Sequence, residues 1–146
     1  CNVTHAEFIP KDLSSNYPRG EKELLGPFHS FMTGDTIAWF EERGVELNIE
    51  EDGRMFPISN SSQTIIDCFI AETKRLGVTV LKGQSVKEII KIENNFQVKT
   101  SSDIFSAKKI VVATGSNPKV WKLLENLGHT IEPPVPSLFT FNIESV

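Results

Sequence analysis

The sequence predicts an α/β sheet with a small antiparallel β layer packed on it. Three observations carry that reading. A helical stretch from Gln63 to Leu76 stops at Gly77 and runs straight into the apolar segment VTVL (78–81), the pattern of a parallel strand entered from a helix. Three strand-like runs then follow closely, 86–93, 96–100 and 104–113, joined at Asn94-Asn95 and Ser102-Asp103 by hairpin-type connections. Finally, KIVVATG (109–115) is an unbroken β run that ends in a glycine turn.

The elements follow in chain order. Residues 1–20 are rich in Pro, Ser, Asn and Gly and read as an irregular polar opening. Glu21 to Met32 reads as a helix with Leu24, Leu25, Phe28 and Phe31 on one side, and Gly26-Pro27 predicts a break in its middle. A clearer helix starts at a cap of Asp35 or Thr36, carries Ile37, Trp39 and Phe40, and closes at Gly44. Val45 to Ile49 alternates apolar and polar residues, the period of a half-buried strand, and Asp52-Gly53 is a turn signal. Ser59-Asn60-Ser61-Ser62 is a cap region for the helix from Gln63, whose Ile65, Ile66, Phe69, Ile70 and Thr73 form one apolar stripe. Past the meander, Pro118 to Gly128 reads as a helix with proline in its first turn. Pro133, Pro134 and Pro136 bar regular structure, and LFTFNI (138–143) reads as a last strand.

Composition bounds the function classes. In 146 residues the hydrophobic fraction is 39% and the charged fraction 23%, values of an ordinary globular protein with a real core. No apolar run approaches the roughly 20 residues that span a membrane, and no leader pattern opens the chain. A net charge of -4 argues against a nucleic-acid partner. Two cysteines, Cys1 and Cys68, make no disulfide framework, so a reduced cytoplasmic setting is the simpler expectation. Cys68 reads as a buried inert thiol. Cys1, His5, His29 and His129 match no metal-ligand spacing, and no metal site is expected. Cys1 and His5 lack a third group to orient a nucleophile.

Four segments are candidates for chemistry. In KIVVATGS (109–116) a buried strand ends at Ala113-Thr114-Gly115, which places backbone amides at the carboxyl end of a sheet, where ligands bind in open α/β folds. Gly115 has no Cβ to keep a ligand away; it reads equally as a plain turn glycine. In GVTVLKGQSVKEI (77–89), Val86 is either a ligand-side position or simply a strand residue. EEDGRMFPIS (50–59) joins a turn to Arg54 and a Phe56-Pro57 pair. Arg54 either holds a phosphate or carboxylate or is a surface turn residue. In CNVTH (1–5), Asn2 and Thr4 are short polar side chains able to bond a ligand. No GxGxxG and no P-loop is present.

Taken in order, CNVTH, WFEERGVEL, EEDGRMFPIS, GVTVLKGQSVKEI, KIVVATGSNP and GHTIEPPVPSLFTF resemble the BaiN-like bacterial flavoproteins, NAD(P)/FAD-dependent oxidoreductases of the aminoacetone-oxidase type. The resemblance runs over nearly the whole chain. It implies a partial FAD/NAD(P)-binding Rossmann-like domain with an antiparallel meander layer, lacking the first βαβ unit. Residues 1–136 would be the central part of that domain and 137–146 the start of an inserted β-rich domain. The opening on Cys1 and the strand-like ending fit an internal fragment.

The resemblance assigns Cys1, Asn2 and Thr4 to the loop along the flavin, and Arg54, Phe56 and Pro57 to a Gly-Arg-x-Phe-Pro motif near its ring system. Val86 becomes the adenine contact, and Ala113, Thr114 and Gly115 the second cofactor-facing strand end. His5 departs from the pattern, standing where Asn is usual. Ser116-Asn117-Pro118-Lys119 replaces a glycine-rich stretch.

The expected function is therefore a piece of an FAD-dependent oxidoreductase, inactive alone, with NAD(P)H as reductant, a small-molecule substrate, no nucleic-acid or membrane partner, and a tendency to self-associate. The alternative is a non-catalytic cofactor-binding or interaction module on the same framework. No residue reads as a catalytic acid, base or nucleophile.

Overall fold

A computed structural model describes residues 2–135. Cys1, the strand expected at 138–143 and the inserted domain expected from 137 lie outside the described residues. The chain divides into two compact units, Cys1–Val80 and Leu81–Val146.

In the first unit the order is β1 (Thr4–His5), α1 (Pro10–Ser15), α2 (Glu21–Ser30), α3 (Thr33–Glu41), β2 (Leu47–Ile49), β3 (Arg54–Pro57) and α4 (Ser62–Arg75). The strands form one antiparallel sheet in the order β1-β3-β2. Helix α3 packs on β1 and β2, and α4 on β3. The core between them holds Phe40, Val45, Ile65 and Cys68, flanked by Val3, Trp39 and Leu47.

Local chemistry explains most of these elements. The Ser61 hydroxyl accepts from the Gln63 N–H at 3.2 Å and starts α4, as the serine-rich segment predicts. Helix α3 starts earlier than expected. Its Asp35 is not the cap; the carboxylate reaches back and accepts the Met32 N–H at 2.7 Å. Helix α2 runs through Gly26-Pro27 without a break. Proline lacks one N–H, and the helix continues to Ser30, closed by Phe31 N–H donating to the Pro27 carbonyl. The opening is not wholly irregular either, because Pro10 begins α1 at a position where proline's fixed φ suits the first turn.

Strand β3 was read as a turn-bound Arg and a Phe-Pro pair; in the structure it is the central strand of its sheet. Pro57 is tolerated there because it ends the strand. The alternation along it is strict: Met55 and Pro57 are buried, Arg54 is exposed and Phe56 half-buried.

The second unit holds the expected meander: β4 (Glu88–Ile92), β5 (Asn95–Lys99) and β6 (Ile104–Ala107), antiparallel in sequential order, with α5 (Pro118–Asn126) packed on β4. Ile89, Val98 and Phe105 are register partners on one face, and Ile89 is buried there. The Asn117 side chain accepts the Lys119 N–H at 3.1 Å and caps α5.

The mixed α/β class and the antiparallel layer are thus present. The parallel strands expected at 78–81 and 109–113 are not formed among the described residues. A strand exists only through hydrogen bonds to a neighbour, and no described strand pairs with either run. Val78, Val80, Leu81 and Val111 lie exposed instead, Val111 at 88%.

The apolar stripe of α4 also divides. Ile65 and Cys68 enter the core, while Ile66, Phe69 and Ile70 stay exposed at 47%, 49% and 38%.

Candidate functional site

The site is built on the β1-β3-β2 sheet. Thr4 pairs with Met55 and His5 with Arg54; across the other edge Leu47 pairs with Pro57, Asn48 with Phe56 and Ile49 with Met55. Residues paired across a sheet share a face. Thr4, Met55, Pro57 and Leu47 therefore lie on the core side. His5, Arg54, Phe56 and Asn48 lie on the other.

This register sorts the sequence-derived candidates. Arg54 and Phe56 are brought together on the outer face. Thr4 is half-buried at the core edge, and Pro57 is wholly buried, so its side chain shapes the strand from inside. Asn2 is exposed just before β1, and the Val3 N–H donates to the Met55 carbonyl at 2.8 Å, which ties that segment to β3.

Arg54 is held by its own turn. Between β2 and β3 the chain reverses through Asp52 and Gly53, with the Gly53 N–H donating to the Glu50 carbonyl at 2.9 Å. Gly53 has φ +82, a left-handed conformation that only glycine adopts without strain. The Asp52 carboxylate accepts from the Arg54 N–H at 3.2 Å and from its Nε at 2.7 Å. The guanidinium carbon then lies 5.4 Å from the centre of the Phe56 ring, within cation–π range. The Arg54 backbone N–H and then its guanidinium hold the Asp52 carboxyl below the usual range. The terminal nitrogens of Arg54 have no partner among the described residues, so they remain available as charged donors.

His5 and Asp52 complete this arrangement, and neither stood out as a site residue in the sequence. His5 Nε2 donates to the Asp52 carbonyl at 3.0 Å. His5 also lines a cleft of about 350 Å³ with Leu13, Asn16 and Tyr17. The Asp-Gly-Arg spacing was a legible signal for Asp52. His5 shows in the sequence only as a departure from the family pattern, because its role depends on the β1–β3 register.

The other candidates belong to the second unit. Val86 precedes β4 and is 40% exposed. Ala113, Thr114 and Gly115 form no regular element. Gly115 has φ +61, and a Cβ built there would meet no atom within 4 Å, so its backbone is open to approach.

A second cluster lies at the end of α3 and along α4. Glu72 Oε2 lies 2.8 Å from Arg75 and 3.0 Å from Arg43 Nε. Arg43 lies over the Trp39 ring at 4.0 Å and donates to the Trp39 carbonyl at 2.7 Å. Arg43, Glu72 and Arg75 border a cleft of about 520 Å³ with Cys68 at its wall. Burial raises the Cys68 thiol above its ordinary value, which keeps it protonated and unreactive. Among the described residues no group of acids, cysteines and histidines is arranged to hold a metal.

The Glu72 carboxyl is lowered to about 2, first by its hydrogen bond to Arg75 and then by Arg43. A carboxylate lowered in the folded state stabilises it above the unfolded value of 4.5, and that contribution disappears as pH falls toward 2. Denaturant titrations at pH 6 and pH 3 should therefore show a smaller acid-induced loss of stability in Glu72→Gln than in the natural chain. Equal losses in the two proteins would exclude this ion pair as a source of acid sensitivity.

The HI0933-like protein Rossmann domain matches residues 1–136. A 3-dehydro-bile acid delta(4,6)-reductase of Clostridium scindens is 21% identical over 99% of this chain and 36% of its own length. A ribosomal RNA dihydrouridine synthase of Escherichia coli K12 is 24% identical over 98% of this chain and 37% of its own length. The chain thus spans somewhat over a third of these curated relatives. With the match extending over nearly every residue, this chain belongs to the HI0933-like family and carries its flavoprotein-type Rossmann domain.

Proposed function

We propose that this chain forms part of the FAD site of an oxidoreductase reduced by NADH or NADPH. The observation that carries the reading is Arg54: fixed through Nε by Asp52, laid over Phe56, with terminal N–H donors that have no partner among the described residues. That donor set fits a flavin, whose pyrimidine carbonyls and phosphates accept hydrogen bonds from a planar cation. Asn2 and Thr4 add short polar groups at the β1 edge.

When bound, the flavin supplies the hydride and electron transfer, and the protein supplies orientation and electrostatics. Arg54 would stabilise negative charge on the cofactor, because a fixed cation needs no reorganisation as charge develops. Phe56 would keep the guanidinium flat and partly dry. The similarity to proteins named as a delta(4,6)-reductase and a dihydrouridine synthase supports a carbon–carbon double bond as the group acted on.

The test follows the full-length protein by absorbance. Titrated with FAD and then given NADH or NADPH without oxygen, it should bind the flavin and bleach it. Failure to bind FAD would overturn the reading. FAD bound tightly but never bleached would favour a second reading, a non-catalytic cofactor module. One feature supports that second reading: α5 begins with its own Asn117 cap and a proline without an N–H, so its first turn offers few donors to a phosphate.

We further propose that the 146-residue chain by itself is inactive, works in a reducing cytoplasm, and associates with a second copy of itself. Ile66, Phe69 and Ile70 leave an apolar face of α4 in water, which favours pairing. No helix among the described residues is long and apolar enough to cross a membrane. Light scattering of the chain should give a mass that rises with concentration; a constant monomer mass would contradict self-association.

A further inference from the structure

We infer that His5 is a positioning residue for the cofactor site: through its ring it sets the Asp52-Gly53 turn and so the guanidinium of Arg54. The inference rests on the FAD reading only in its last step, from Arg54 to the flavin.

The contacts form one connected path. His5 stands opposite Arg54 in the β1–β3 register, and the flanking bonds, Val3 N–H to Met55 O at 2.8 Å and Ala6 N–H to Gly53 O at 2.7 Å, prevent β1 from sliding. The His5 ring comes to lie directly on Gly53. A Cβ built at Gly53 would stand 2.7 Å from both Cε1 and Nε2 of the ring, closer than side chains tolerate. From there His5 Nε2 donates to the Asp52 carbonyl at 3.0 Å. The carbonyl is only an acceptor, so the donor must be the imidazole N–H. With its backbone held, Asp52 presents its carboxylate to Arg54, at 3.2 Å to the backbone N–H and 2.7 Å to Nε.

Each link removes freedom from the next. An exposed arginine samples many rotamers, and its binding strength depends on how many are lost on contact. Arg54 here is restrained at Nε, at its backbone and by the Phe56 ring, while its terminal nitrogens have no partner among the described residues. That is the arrangement of a preorganised charged donor whose support comes from outside the ligand shell. Gly53 serves the same end: it adopts φ +82, and it leaves the ring its seat. A side chain at that position would evict His5 even if the backbone strain were absorbed.

The test is a double-mutant cycle in the full-length protein with a second, cofactor-independent readout. His5→Ala is compared with Arg54→Ala and with the double variant, measuring FAD dissociation constants and the amide hydrogen exchange of the segment covering residues 50–57. The expected result is a weakening of FAD binding by up to about tenfold in His5→Ala, the upper scale of one neutral hydrogen bond. In the Arg54→Ala background the same replacement should change affinity less than twofold, since the path would already be cut. Exchange in the 50–57 segment should quicken in His5→Ala with thermal stability otherwise near that of the natural protein. Gly53→Ala, which keeps the histidine but displaces its ring, should reproduce the exchange pattern.

A full tenfold loss in both backgrounds would mean that His5 acts independently of Arg54 and would overturn the inference. Unchanged exchange at 50–57 would overturn it as well, at the first link. If the natural protein fails to bind FAD, the proposed function fails, and the exchange data still decide whether His5 holds the turn.

Discussion

Replacing Phe40 by alanine should destabilise the first unit by about 3–5 kcal/mol, the cost of deleting a buried aromatic ring and leaving a cavity. Phe40 is 4% exposed and sits at the middle of the core with Val45, Ile65 and Cys68. Its ring meets Trp39 edge-on at 5.0 Å and Phe69 at 5.6 Å. Such edge-to-face pairs add to the effect of burial itself. The ring sits where α3 turns into β2, at a residue whose main-chain carbonyl accepts the Val45 and Arg43 N–H groups at 3.0 Å. Few other buried side chains are present to fill the space. Denaturant unfolding should move to a lower midpoint with the slope retained. A loss below about 1 kcal/mol would mean that this cluster is not the core of the unit.

The second large effect concerns function. Arg54→Ala should weaken FAD binding by about 10- to 100-fold, the range for removing a charged hydrogen-bond partner from a ligand. The side chain is 53% exposed and contributes nothing to the core, so its loss should leave the fold standing. Arg54→Lys should rescue only in part, since an ammonium cannot use both Asp52 and two acceptors in one plane. Salt should weaken binding in the natural protein and much less in Arg54→Ala, because the lost contact is the charged one. Equal FAD affinity in Arg54→Ala and the natural protein would remove this residue from the site.

Particular elements show what the sequence could and could not convey. Helix α4 was legible because Ser61, the apolar spacing and Gly77 all mark the same segment. Its buried face was less legible: Ile66 and Phe69 fit the stripe as well as Ile65 does, and only packing against β3 selects Ile65 and Cys68. The meander was legible because β4, β5 and β6 are neighbours in the chain and pair locally. The runs at 78–81 and 109–113 have the right composition for strands, but composition cannot provide a pairing partner.

For the site, Arg54 and Phe56 were legible through the motif that they share. Their common exposed face follows from strand alternation once β3 is recognised as a strand. Pro57 carried the same motif signal but went inward. His5 was visible only as an unusual residue. Its contact with Gly53 joins positions far apart in sequence, and no local pattern encodes that.

Arg54, Phe56 and their neighbours are proposed to line a flavin site. The most direct measurement is to denature the purified full-length protein and identify and count the flavin released by chromatography. The expected result is FAD, approaching one molecule per chain after reconstitution, with a marked shortfall in Arg54→Ala. A full-length protein that folds, yet releases no flavin and takes up none when FAD is supplied, would contradict it.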